Sequence, residues 1–145
     1  MDLVGFFNWV TGNNLLFWKV VAATIVFFGA GTQVFLAARL WKASTIPAMS
    51  EEAASTAHRW IGRVTLTLAM VVAVACVAGP AGPISPARAL FHSIFGVTVL
   101  LVIATKFTIL RILRKGYNLL PFVGTTLFLC LGALWATSVA DYISR

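Results

Sequence analysis

The chain has 145 residues, 60% of them hydrophobic and 10% charged, with a formal net charge of +7. A mean hydropathy of +0.94 exceeds what a soluble domain of this length needs to fill a core, and it points to an integral membrane protein. The basic residues cluster at helix ends and no aromatic-basic motif is present, which excludes nucleic acid as the partner that the charge would otherwise suggest. No lysine or arginine precedes Lys19 and no cleavage site follows an early apolar run, so the first span reads as retained rather than as a signal peptide. The cysteines, Cys76 and Cys130, lie inside apolar runs and read as small buried residues. Their spacing gives neither CxxC nor CxxCH, so it indicates neither zinc nor covalently attached haem.

Met1 to Asn14 is a short mixed stretch whose Leu3, Phe6, Phe7, Trp9 and Val10 suit the membrane interface. It ends at the turn-like Thr11-Gly12-Asn13-Asn14. The first predicted span is 15–40, with Lys19 able to snorkel outward and Gly29, Ala30 and Gly31 allowing close helix contact. Gln33 is a polar residue within it, of the kind that bonds a neighbouring helix. Trp41 to Met49 is a loop broken by Pro47. Ser50 followed by Glu51 and Glu52 reads as a helix start, a capping hydroxyl and then acids at the positive end of the dipole. The second span is 57–78, its helix beginning outside the bilayer. A run from Gly79 to Pro86 breaks the chain, and the third span is 87–113. Arg114 to Asn118 connects to the fourth, 119–140, with Pro121 in the first turn, where proline is tolerated. Asp141 to Arg145 is a stub. The expected fold is all-α: a single four-helix antiparallel transmembrane bundle occupying 1–145.

Orientation follows from charge. Arg39, Lys42, Arg59, Arg63, Lys106, Arg111, Arg114 and Lys115 fall on one side, against Lys19, Arg88 and Arg145 on the other. The basic-rich side is then cytoplasmic and both termini are outside, in a bacterial inner membrane. Trp9, Trp18, Trp135 and Tyr142 form a belt at one interface, and Trp41, Trp60 and Tyr117 at the other.

The only histidines stand in matching settings, His58 four residues before Gly62 and His92 four before Gly96. Positions i and i+4 share a helix face, so each glycine can clear space beside an imidazole for something flat. An ionisable residue inside a membrane helix marks a functional site by default. On antiparallel helices the two differ in depth by roughly 27 Å, too far for one haem. They form a weak inverted repeat with one site per leaflet. Lys106 follows His92 by nearly four turns and comes within roughly 6 Å of the depth of His58, and a neutral lysine amine can bind iron. Otherwise it snorkels to the surface. Gly62, Thr65, Ala69, Ala73 and Cys76 make a small-residue strip that suits either a macrocycle or a close helix neighbour. Arg59, Arg63 and Arg111 on one side, and Arg88 on the other, can pair haem propionates, though as topology-setting charges they need no haem. The axial-ligand candidates are His58, His92 and Lys106.

The His58-Arg59-Trp60-Ile61-Gly62 run, the His92–Gly96 motif and Lys106 are joined by a fourth-span pattern of Leu120-Pro121, Gly124, Leu127-Phe128, Trp135 and Thr137-Ser138. Together they resemble small four-helix bacterial membrane proteins of the cytochrome b561 and ferric-reductase-like kind, from Leu15 onward. The resemblance implies b-type haem between helices, and electrons passed among quinones, a periplasmic cytochrome or partner subunits. Such proteins carry a histidine pair for each haem. Here Val72 to Cys76 contains no histidine to face His92.

The expected function is therefore that of a haem b electron-transfer protein, a small subunit of a larger membrane redox complex rather than a catalyst acting alone. A haem-free anchor or scaffold in such a complex is the alternative. A proton-coupled transporter fits less well, because no Asp or Glu lies in mid-span.

Overall fold

The computed structural model describes residues 3–78, 85–113 and 117–144. The described residues are helical almost throughout. The helices are α1 (Leu3–Val10), α2 (Leu15–Leu40), α3 (Glu51–Ala78), α4 (Pro86–Thr108) and α5 (Leu120–Ile143), with a π-helical turn at Ile109–Leu113 and a 3-10 turn at Tyr117–Leu119. Four stretches are long and apolar enough to cross a membrane: Leu15–Leu40, Glu51–Ala78, Pro86–Ile112 and Tyr117–Ile143. The first matches its predicted span at both ends. Of the expected breaks at Gly79 to Pro86 and Arg114 to Asn118, residues 79–84 and 114–116 lie outside the described residues, as does Arg145.

Local chemistry sets the helix ends. The Ser50 hydroxyl accepts the Ala53 N–H at 3.2 Å, and the Ser85 hydroxyl accepts the Arg88 N–H at 3.3 Å. Each thus satisfies one donor that the first turn leaves without a partner. Pro86 and Pro121 occupy first-turn positions, where a missing N–H costs nothing. Gly12 (φ 58°) and Asn13 (φ 65°) take the left-handed conformation that turns α1 away from α2, and α1 then touches α3. Inside the helices, Thr24, Thr32, Thr98, Thr105, Thr108 and Thr125 donate their hydroxyls to the carbonyl four residues back. That keeps polar groups satisfied where lipid offers no partner.

The helices pack in the order α3, α2, α5, α4. Among the described residues α3 and α4, though consecutive in sequence, share no packed interface. Each of the three interfaces that do form uses a different device. Between α2 and α3 the backbones approach at Gly29, where an added Cβ would collide with the Thr65 side chain. Between α2 and α5 the Phe27 ring stacks on Trp135 at 4.8 Å and 8°, and on Phe128 at 5.4 Å and 13°. A Cβ added at Gly132 would lie 3.3 Å from that Phe27 ring, so the stack sits on a cleared patch of α5. Between α4 and α5 the devices are polar.

Trp135 does not join the interface belt in which its sequence position placed it. It stacks on Phe27, and its indole N–H donates to the Thr24 hydroxyl at 3.0 Å. A half-buried indole packed between helices calls for such an acceptor, and Thr24 supplies it where the ring packs. Trp9, Trp18, Trp41, Trp60, Tyr117 and Tyr142 are exposed, as a belt requires.

Candidate functional site

His92 stands nearly two turns into α4, facing α5. Its Nδ1 lies 3.0 Å from the Thr137 hydroxyl oxygen. A hydroxyl has a single proton, and Thr137 donates its own to the Leu134 carbonyl at 2.9 Å. With that proton on the Leu134 carbonyl, the imidazole is the donor at Nδ1 and Nε2 keeps the lone pair. This is the arrangement in which a hydrogen bond on one ring nitrogen prepares the other as a metal ligand. One turn on, a Cβ added at Gly96 would meet nothing within 4 Å. The space that the sequence motif promised is open here.

One turn before His92, Arg88 Nη1 donates to Asp141 Oδ1 at 3.1 Å and to the Ser144 hydroxyl at 3.3 Å. Asp141 is the one buried charged residue among those described. Arg88, expected as a propionate partner, is thus engaged within the chain. Lys19 of α2 comes within electrostatic reach of His92 and of Cys76 on α3, so among the described residues it is a cation available at this end. Cys76 is exposed rather than buried. Only Cys130 meets the expectation of a buried thiol.

The His58 end is built differently. His58 Nδ1 is buried and has no hydrogen-bond partner, and the same holds for Gln33 Nε2. The Gln33 backbone lies within reach of the His58 ring, and Lys106 within electrostatic reach of it. The clearance at Gly62 is not free, because an added Cβ would lie 3.0 Å from Gln33 Oε1. With Gly62 against Gln33 and Thr65 against Gly29, the small-residue strip of α3 seats a close helix neighbour, α2. The arginines have local partners: Arg59 donates to the Ser55 hydroxyl at 3.0 Å, Arg63 covers the Trp60 ring at 5.2 Å, and Arg111 covers Phe107 at 5.8 Å.

The neighbours of His58 are Gln33 and Lys106, whereas those of His92 are Thr137, Asp141 and Lys19. The two sets share no residue. Among the described residues no three of His, Cys, Asp and Glu gather as a bare metal ion would need. Haem asks less, one or two axial ligands beside a macrocycle that supplies the equatorial donors. Sequence reasoning gave Thr137 no ligand-orienting role and did not identify Asp141 as a partner. The signal was available, since Arg88 and His92 are four residues apart on α4, and so are Thr137 and Asp141 on α5. Two such pairs on antiparallel helices can meet rung by rung.

An all-α chain with four apolar helices of this length is a multi-pass membrane protein. It belongs to the family of unknown function DUF6529, which matches residues 6–145. No curated protein and no solved structure matches the chain.

Proposed function

We propose that this protein is a membrane-embedded electron-transfer protein that holds b-type haem, working as a small subunit of a larger membrane redox complex. The observation that carries the reading is the His92 imidazole, held by Thr137 through Nδ1 with Nε2 left as a base, beside the open flank at Gly96. These features suit an axial ligand and the edge of a flat macrocycle. When bound, haem would supply a reversible one-electron centre. The chain's own part is to ligate through His92, to orient that ring through Thr137, and to offer Lys19 as a cation for a propionate. His58 and Lys106 are the corresponding candidates at the other end, where a buried nitrogen without a partner is costly unless something binds it.

The asymmetry of basic residues supports a bacterial inner-membrane location with both termini outside. A quinone or a periplasmic cytochrome is then the expected exchange partner, alongside other membrane redox subunits. One observation favours a haem-free anchor instead: at the His58 end Gln33 already fills the space beside Gly62. The optical spectrum of the purified full chain, with and without dithionite, separates the two. A Soret band with a reduced α-band supports the haem protein, and a colourless preparation supports the anchor.

A further inference from the structure

The outer face between α2 and α3 carries an apolar groove in two parts. The deeper part, about 530 Å3, reaches Gly29, Thr65 and Leu68. The shallower part, about 420 Å3, opens between Leu36, Pro47, Met49 and Ala57. Thr32 and Ile61 line both parts, so the two adjoin along the helix pair. From Ala57 to Leu68 the groove descends about 16 Å at 1.5 Å per residue. That is about half of a ~30 Å hydrocarbon core, the depth of one leaflet.

Two cations lie beside the groove, Arg39 at its mouth and Arg63 part-way along α3, its guanidinium over Trp60, three residues nearer the mouth. Arg39 follows Leu36 by three residues and so continues the α2 wall. Its Nε and Nη2 donate to the Met49 carbonyl at 3.3 and 3.1 Å, which leaves Nη1 outside that bond. Arg63 lies over the ring of Trp60, which itself lines the groove. Neither arginine has a carboxylate partner among the described residues, where the ion pairs are Lys42–Glu51 and Arg88–Asp141.

We propose that this groove is a binding site for an anionic phospholipid, one acyl chain lying along α2 and α3 and the phosphate meeting Arg39 and Arg63. Guanidinium groups suit phosphate oxygens, and cations near an anionic headgroup layer are attracted to it. A second copy of the chain is a poor occupant. A two-fold contact through this face would set its arginines against their own symmetry mates. The site is independent of haem.

The test is native mass spectrometry of the full chain in neutral detergent, titrated with dioleoyl phosphatidylglycerol or with phosphatidylcholine of the same chains. Phosphatidylglycerol should be retained in preference, and the Arg39→Gln/Arg63→Gln double variant should lose about tenfold in its retention. Thr32→Trp, which plugs the exposed junction of the two parts without changing charge, should lower retention of both lipids. Arg111→Gln removes a cation from the same end of the bundle but off the groove, and should retain phosphatidylglycerol as the parent does. Equal retention of the two lipids by the parent would overturn the proposal. So would an equal loss in Arg111→Gln, or a dimer that buries the groove.

Discussion

At one end of the bundle a histidine is held by a neighbouring hydroxyl beside a paired arginine and aspartate. At the other a histidine stands with an unsatisfied nitrogen, facing an unsatisfied glutamine amide and a lysine. Both ends spell His-x-x-x-Gly. What differs is the helix opposite. α5 meets α4 with Thr137 and Asp141, polar groups that complete the ring and the guanidinium, and nothing crowds Gly96. α2 meets α3 with Gln33, whose amide takes up the room beside Gly62 and leaves two polar atoms unanswered. A glycine one turn from a histidine therefore opens space only where the facing helix leaves it.

The largest effect should come from breaking the satisfied end. Arg88→Leu takes the guanidinium away from the buried Asp141 carboxylate, and loss of one partner from such a pair costs about 3 kcal/mol. Unfolding of the detergent-solubilised variant should show that loss. An unchanged midpoint would mean that the ion pair does not close this end.

A smaller effect is expected where the His58 end meets its support. At Gly29→Leu the new side chain runs into Thr65, and overpacking of this kind costs about 2 kcal/mol. The same unfolding measurement reads it. A variant as stable as the parent would show that α2 and α3 can part without cost.

The smallest effect sharpens the comparison most. Gln33→Leu removes a buried amide nitrogen that has no partner, so stability should change by less than about 1 kcal/mol, or rise. The matching loss at the other end, Thr137→Val, removes a made hydrogen bond. A Gln33→Leu variant destabilised more than Thr137→Val would mean that the amide is satisfied after all.

The spans were legible in the sequence because lipid imposes a length and an apolarity that any reader can measure. Ser50, Pro86 and Pro121 marked helix starts for reasons local to each turn. Which helices touch was not legible, because apolar faces that meet lipid and apolar faces that meet protein have the same composition. Gly29, Gly31 and Gly62 announced a close approach without saying to whom. Trp135 was misplaced because a tryptophan near a helix end belongs to the belt unless a neighbour offers its N–H an acceptor, and Thr24 is distant in sequence. Arg88 looked free for a ligand until α5 brought Asp141 to it.

The proposed haem site turns on His92 as an axial ligand held ready by Thr137. The most direct measurement is the haem-to-protein ratio of purified parent, His92→Ala and His58→Ala, read from the reduced spectrum of each. His92→Ala should lose one haem signal while circular dichroism shows an intact helical fold, and any signal from the His58 end should survive it. If both variants keep the parent's full haem content, neither histidine is a ligand and the claim is contradicted.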